Sequence, residues 1–214
     1  MSPTCYAHES RSRIPFIACQ RRREYNRHVT SCLKVSDEPR CEDKIHERAR
    51  WNERYRTGRA PTQVNPRLQK YRHMLQRGRV LDLACGRGQN AQLFPASTVI
   101  LVDIADEALA RACGLRVLAD AVALPFPANT FNTIVCAYFF DPRVDFARWL
   151  LPGGTLFFET YTSADAKYHP DFNPAHRFDP ATRAEVFRGL EILLWEETDD
   201  GARVYGTLIG RKSA

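Results

Sequence analysis

The sequence lacks the long apolar runs that mark membrane-spanning and secreted chains. No stretch of 18 apolar residues occurs in its 214 positions, so we expect no transmembrane helix and no membrane partner. The N-terminus also lacks the apolar segment of a secretory signal. These absences predict a cytoplasmic protein, and the Arg-rich, acid-poor start also fits an organellar transit peptide.

Cysteine is present, but in no pattern that defines a disulfide framework or a metal site. The seven cysteines are an odd number, and no Cys-x-x-Cys pair occurs. We expect reduced thiols that pack as small apolar side chains. A scattered set of cysteines and histidines matches no closed zinc pattern, so no metal site is predicted. That set is Cys19, His28, Cys32, Cys41 and His46.

The net charge of +6 is concentrated in the first part of the chain. Residues 1–60 carry 14 Lys and Arg against 8 Asp and Glu, whereas residues 61–214 carry 17 of each. A protein that binds nucleic acid usually has a basic footprint on its folded domain, so this distribution makes nucleic acid an unfavoured partner. Residues 1–41 are rich in Arg, Ser and Pro, which predicts a basic, disordered extension ahead of a domain over 42–214. No feature defines an oligomeric state.

Strand-like and helix-like segments alternate through most of the predicted domain. Two helices come first, one over about 43–55 and one that begins at Pro66 after a capping Asn65. Helices are then predicted over about 106–113, 144–150 and 180–188, and Asp106 is expected to cap the first of these. The predicted strands are 79–84, 98–103, 116–119, 133–139, 155–160, 190–197 and 203–209. The alternation predicts an α/β fold whose parallel sheet is covered by helices on both faces.

The most informative segment is Val80-Leu-Asp-Leu-Ala-Cys-Gly-Arg-Gly88. It predicts a buried strand that runs into a glycine-rich turn, where the backbone can approach a ligand closely. Read on to Ala91, the turn also fits G-x-G-x-x-A, which is typical of dinucleotide sites. Asp82 argues against that interpretation, because a carboxylate pointing into the turn would repel a pyrophosphate. It would attract a cationic ligand such as S-adenosylmethionine, which carries an ammonium and a sulfonium.

A second acid stands at the end of the next predicted strand. Asp103 follows Ile100-Leu-Val, and an acid in that place can accept hydrogen bonds from ribose hydroxyls. Since Asp106 is expected to cap the following helix, Asp103 is left for a ligand.

These segments resemble the first motifs of class I S-adenosylmethionine-dependent methyltransferases, and the resemblance extends over about 51–212. Leu124-Pro-Phe126 and Leu151-Pro-Gly-Gly154 also match phrases of that family. The resemblance implies a doubly wound, mostly parallel seven-stranded sheet with a C-terminal antiparallel hairpin, and S-adenosylmethionine as cofactor. It further implies the cofactor-binding residues, of which Asp120 and Ala121 would meet the adenine ring. The full set is Asp82, Ala84, Gly86, Gly88, Asp103, Ile104, Asp120, Ala121 and Ala137.

The methyl acceptor is expected in the loops that follow the fourth and fifth strands, closed by the first helix. We predict an aromatic pocket for a small apolar or soft acceptor. Its walls are Trp51, Tyr55, Tyr138 and Tyr161, with His176 at the rim. No catalytic residue is predicted, because in-line displacement from a sulfonium depends on positioning more than on proton removal. The phrases Trp51–Tyr55 and Phe158–Tyr161 are similar to small-molecule methyltransferases of the tellurite-resistance type.

Three functions remain open at this point. The favoured hypothesis is methyl transfer from S-adenosylmethionine to a small molecule. The second is methylation of RNA or protein, with the basic N-terminus recruiting an acidic partner. The third is a non-catalytic module that binds the cofactor, and a nicotinamide enzyme is least favoured because of Asp82.

Overall fold

The conformation of residues 41–213 is described by a computed structural model, and these residues belong to one unit, Pro39–Ala214. Residues 1–40 and residue 214 lie outside the described part. The prediction of a disordered extension therefore falls almost wholly outside it, as do Cys19, His28 and Cys32. None of the helices between residues 41 and 213 is both long and apolar enough to cross a bilayer.

Helices and strands follow one another as the sequence pattern predicts. The α-helices are α1 (Cys41–Arg56), α2 (Pro66–Tyr71), α3 (Asp106–Leu109), α4 (Phe146–Trp149) and α5 (Arg183–Val186). The strands are β1 (Arg79–Leu83), β2 (Thr98–Asp103), β3 (Leu115–Leu118), β4 (Phe131–Ala137), β5 (Leu150–Tyr161), β6 (Leu190–Asp199) and β7 (Val204–Lys212). Short 3₁₀ segments are Arg72–Met74, Gln89–Leu93, Ser163–Lys167, Pro174–His176 and Pro180–Thr182.

The strands form one seven-stranded sheet in the order β3-β2-β1-β4-β5-β7-β6. The first five strands are parallel, and β7 pairs antiparallel with both β5 and β6. This arrangement confirms the predicted α/β fold with a C-terminal antiparallel hairpin. Because parallel strands end at the same edge, β1, β2, β4 and β5 deliver their last residues to one side of the molecule.

Both faces of the central sheet are buried. Along β4, Ile134 and Cys136 pack in one apolar cluster, whereas Val135 and Ala137 pack in the other. Successive side chains of a strand point to opposite faces, so a centrally placed strand must be apolar throughout. This is why 133–137 contains no alternation of polar and apolar residues that periodicity alone could detect.

The prediction that Asp106 caps a helix over 106–113 is wrong in two respects. Helix α3 ends at Leu109, and its N-cap position is Ala105 without a side-chain capping bond. The Asp106 carboxylate instead accepts hydrogen bonds from two α1 side chains, Arg48 Nε at 3.1 Å and Asn52 Nδ2 at 2.6 Å. A tertiary contact with α1 has therefore replaced the local cap.

The predicted strand over 133–139 extends too far at its C-terminal end. Strand β4 ends at Ala137, and Tyr138 adopts a left-handed conformation with φ of 61°. A non-glycine residue in this region is uncommon and marks a site of local strain. The backbone N–H of Tyr138 donates to the Glu159 carbonyl at 2.7 Å, which ties the strained turn to β5.

Candidate functional site

A cavity of about 310 Å³ opens at the carboxyl ends of the parallel strands. It reaches from the glycine turn after β1 to the ends of β4 and β5, and α1 forms one of its walls. Most predicted site residues line it together. They are Ala84, Gly86, Asp103, Ile104, Asp120, Ala121 and Ala137 on the predicted cofactor side, with Trp51, Tyr55, Tyr138, Tyr161 and His176.

The glycine turn allows α1 to pack directly on its backbone. Gly86 has φ of 58°, and a Cβ added there would lie 2.7 Å from the Tyr55 hydroxyl oxygen. Neighbouring Ala84 also has positive φ, at 53°. Glycine at position 86 is therefore required by conformation and by the close approach of Tyr55.

Asp103 organises the turn beside which it lies. Its Oδ2 accepts the Gly86 N–H and its Oδ1 accepts the Ala105 N–H, both at 2.8 Å. The side chain is nearly buried, and burial raises the pKa of Asp103 to about 6 despite these hydrogen bonds. Each carboxylate oxygen can accept a further hydrogen bond, so the group remains suited to a hydroxyl-bearing ligand.

Two predicted cofactor residues, Asp82 and Gly88, do not reach the surface of the cavity. Asp82 is buried beneath the turn, where burial and the nearby Asp103 charge raise its pKa well above its ordinary value. Its Oδ2 has no hydrogen-bond partner. At Gly88 an added Cβ would lie 2.7 Å from Leu101 Cδ1, so this glycine serves packing against β2. Direct contact of either residue with the cofactor stays a prediction.

Asp120 lies in the cavity wall after β3 and is engaged by α1. The ammonium of Lys44 is 3.3 Å from Asp120 Oδ2, and Asp120 Oδ1 accepts the Val122 N–H at 3.2 Å. The α1 helix thus contacts both ends of the predicted cofactor side, through Lys44 at Asp120 and through Tyr55 at Gly86.

Gln89 borders the cavity, although the sequence analysis did not name it as a candidate site residue. It lines the cavity, and its Oε1 is buried without a hydrogen-bond partner. A buried amide oxygen without a donor is costly, which indicates that a ligand donor belongs there. The position of Gln89, directly after the glycine turn and at the carboxyl end of β1, is the signal that could have identified it, because ligands of open α/β sheets bind at that edge.

Aromatic rings form the opposite end of the cavity. The Tyr138 and Tyr161 ring centroids are 6.2 Å apart, and Phe172 meets Tyr161 edge to face at 5.7 Å. His176 lies 6.3 Å from Phe172, and burial lowers the pKa of its imidazole. Burial, followed by the Glu159 charge, raises the pKa of Tyr138, so that hydroxyl stays protonated at neutral pH.

The predicted pocket walls divide between the two ends of the cavity. Trp51 and Tyr55 stack along α1 with ring centroids 6.2 Å apart. Tyr55 faces the glycine turn, where burial raises its hydroxyl pKa and the Asp103 charge adds to the effect. The structure therefore joins Tyr138, Tyr161 and His176 at one end and puts Tyr55 at the other.

Arg203 is a further lining residue that sequence reasoning missed. Its guanidinium carbon lies 3.6 Å from the Tyr161 ring centroid, and its Nη1 is 3.2 Å from Asp165 Oδ2. Asp165 is fully buried and also accepts the Val204 N–H at 2.9 Å. No local pattern marks Arg203, since only the β5–β7 pairing brings it beside Tyr161.

The residues present fit S-adenosylmethionine. The end near β1 and β2 offers a carboxylate for hydroxyls in Asp103, an unpaired amide oxygen in Gln89, and an apolar wall. The cofactor is cationic at its sulfonium and ammonium, which carboxylates and amide oxygens stabilise. Among residues 41–213 no cluster of His, Cys, Asp or Glu could hold a metal ion.

Comparisons with known proteins identify a methyltransferase domain within the chain. A family model described as a methyltransferase domain matches residues 81–158. The demethylmenaquinone methyltransferase of Thermus thermophilus is 37% identical in an aligned part that covers 36% of this chain and 44% of that protein. The chain thus spans less than half the length of this curated relative.

Solved structures show the same fold at low sequence identity. The 1,6-didemethyltoxoflavin-N1-methyltransferase of Burkholderia thailandensis, solved with bound S-adenosylhomocysteine, has a TM-score of 0.61 at 17% identity, covering 85% of this chain and 94% of that one. A SAM-dependent methyltransferase of Methanosarcina mazei has a TM-score of 0.56 at 20% identity, covering 71% and 99%. The resemblance to the tellurite-resistance type stays a prediction. Residues 81–158 therefore match a methyltransferase domain, and the solved structures show that the chain has the fold of S-adenosylmethionine-dependent methyltransferases.

Proposed function

We propose that the protein transfers a methyl group from S-adenosylmethionine to a small-molecule acceptor by in-line displacement. The observation that carries this proposal is a single cavity with two unlike ends. One end has the carboxylates of Asp103 and Asp120, and the other has the rings of Tyr138 and Tyr161. A cofactor at the first end would direct its methyl group toward an acceptor at the second.

The cofactor end supplies recognition through polar atoms that are already oriented. Asp103 would accept the ribose hydroxyls, and Asp120 with Ala121 would meet the adenine. Gln89 Oε1 would accept from the ammonium, since it is buried and lacks a donor. Asp82 would act from beneath the turn, where a bound cation would favour its ionised form against the effect of burial.

The chain contributes positioning and exclusion of water. When bound, the cofactor supplies a methyl carbon whose bond to sulfur breaks as the acceptor lone pair attacks, and the electron pair returns to sulfur. The protonated Tyr138 hydroxyl can donate a hydrogen bond to the acceptor but cannot remove its proton at neutral pH. The lowered pKa of His176 keeps its imidazole neutral and able to accept a proton.

Two relatives support a small acceptor. The Thermus relative is named for methylation of demethylmenaquinone and the Burkholderia structure for methylation of 1,6-didemethyltoxoflavin, each a small molecule. A cavity of about 310 Å³ lies at the lower end of the range of small-molecule sites.

The test is to incubate the protein with methyl-labelled S-adenosylmethionine and a metabolite extract, and to identify the labelled product. We expect label in a compound of low molecular mass, and calorimetry should show binding of S-adenosylhomocysteine. Asp103→Ala should weaken that binding. Unchanged affinity in both Asp82→Ala and Asp103→Ala would exclude the proposed cofactor site.

The basic N-terminus motivates a second candidate function, methylation of RNA or protein, which a deletion can distinguish from the first. If RNA or protein is the acceptor, deletion of residues 1–40 should reduce acceptor affinity and its salt dependence. For a small molecule the same deletion should leave turnover unchanged. Cofactor binding without any labelled product would favour a non-catalytic module.

A further inference from the structure

Arg203 has a fixed orientation in the wall of the cavity. Its guanidinium stacks on Tyr161 at 3.6 Å and lies 5.5 Å from the Phe172 ring centroid. Stacking on an aromatic face fixes the plane of the guanidinium, which a lysine could not reproduce.

One edge of this guanidinium is held by the protein. Nη1 faces the buried Asp165, whose other oxygen is fixed by the Val204 N–H. Within residues 41–213, Nε and Nη2 of Arg203 donate no hydrogen bond, and the residue borders the cavity. The buried ion pair thus orients an arginine and leaves donors for a ligand, in the planar geometry that suits a carboxylate.

The charges at this end of the cavity favour an anion. The lining carboxylates Asp103 and Asp120 belong to β2 and the segment after β3, and β1 and β4 separate those strands from β5. The remaining lining carboxylate, Glu47, lies 3.6 Å from the Lys44 ammonium. Beside Tyr161 the charged group that borders the cavity is therefore the guanidinium, whose partner Asp165 and neighbour Glu159 lie buried behind the wall.

We propose that Arg203 binds an anionic oxygen of a planar aromatic acceptor, whose ring lies among Tyr138, Tyr161 and Phe172. The inference rests on the proposed function and specifies the class of its substrate. Asp165 is the positioning residue, because it holds Arg203 without facing the ligand.

The test compares benzoate with benzamide as probes of the same size and shape. Each is titrated into full-length protein saturated with S-adenosylhomocysteine, and binding is followed by ligand-observed NMR. We expect wild-type protein to bind benzoate at least about tenfold more tightly, as hydrogen bonds to a charged group allow. Arg203→Gln should abolish the preference, and Arg203→Lys should retain part of it.

Arg183→Gln is the matched control, because Arg183 also stacks on an aromatic ring, Trp195 at 5.0 Å, but does not line the cavity. It should keep the wild-type preference. Each variant is checked for melting temperature and S-adenosylhomocysteine affinity, and loss of that affinity in wild-type protein would count against the proposed function. Equal binding of both probes, binding of neither, or a preference that survives in Arg203→Gln would overturn the role of Arg203.

Discussion

Single residues in this site combine an observed structural role with a proposed role in ligand recognition. Asp103 accepts backbone N–H groups from Gly86 and Ala105, so its carboxylate shapes the turn that it borders. Its burial raises its pKa to about 6, within the range where pH can be varied without unfolding most proteins. The same carboxylate is the proposed acceptor for ribose hydroxyls.

We predict that affinity for S-adenosylhomocysteine is constant above about pH 7 and falls as the pH is lowered through 6. The ionised carboxylate accepts hydroxyl hydrogen bonds, and protonation removes that capacity. Asp103→Asn should weaken binding by about 1.5–3 kcal/mol at neutral pH and flatten the pH profile. Calorimetry between pH 5 and 8 measures both, and equal wild-type affinity at the two limits would contradict the prediction.

For the folding stability of the ligand-free protein, the pH dependence that arises from Asp103 has the opposite sign. A carboxyl group whose pKa is raised in the folded state favours that state when protonated, so its contribution to stability falls as pH rises through about 6. Urea unfolding of Asp103→Asn and wild-type protein at pH 5 and 8 separates this effect from ligand binding.

Tyr161 lies on the proposed acceptor side, between Tyr138 and Phe172. We predict that Tyr161→Ala lowers turnover and leaves S-adenosylhomocysteine affinity nearly unchanged, because the ring supports the acceptor and Arg203. Tyr168→Ala is the control, since Tyr168 is exposed in the next segment and does not line the cavity. Lost cofactor affinity with normal turnover at saturating cofactor would put Tyr161 on the other side of the site.

At the scale of elements, the start of α2 is fixed to the sheet by a buried polar cluster. Asn65 caps α2 through Leu68 N–H at 2.8 Å and donates to Glu159 Oε1 at 2.7 Å. Glu159 is fully buried at the end of β5 and also accepts from the Thr207 hydroxyl at 3.0 Å. A single asparagine thus links a helix to the strand that carries Tyr161.

We predict that Asn65→Ala lowers the free energy of unfolding by about 2–4 kcal/mol. The loss combines a missing cap, about 1 kcal/mol, with a buried carboxylate that loses a donor, about 1–3 kcal/mol. Asn173→Ala is the control, because Asn173 caps an exposed 3₁₀ segment and should cost about 1 kcal/mol or less. Urea denaturation measures both, and equal losses would contradict the role of the cluster.

The sequence predicts which helices and strands are present better than it predicts where they end and which tertiary contacts they make. The apolar runs of β1 and β4 and the glycine turn after β1 predict the parallel sheet, because each of these features is a local pattern in the sequence. Helix α3 is shorter than predicted and Asp106 is not its cap, since α1 supplies partners from a distant segment. Arg203 and Tyr55 acquire their places only through tertiary packing, which no local spacing records.

At the scale of the whole molecule, the described residues contain complete apolar clusters on both faces of the sheet. We predict that a protein starting at Cys41 keeps its melting temperature within about 4 °C of the full chain, because the apolar clusters on both faces of the sheet are formed by residues that this protein retains. Its affinity for S-adenosylhomocysteine should also be unchanged. Differential scanning calorimetry tests this, and a large fall would show that the N-terminal segment packs on the domain.

The hairpin of β6 and β7 contains the part of the sheet that is synthesised last. Strand β7 runs antiparallel to β5, so its first residues meet the last residues of β5, and Tyr205 pairs with Tyr161. During translation the glycine turn and the ends of β1, β2 and β4 emerge well before Arg203. The residues of the proposed cofactor end therefore all precede the hairpin in the chain, whereas the proposed acceptor end also needs Arg203 from its turn.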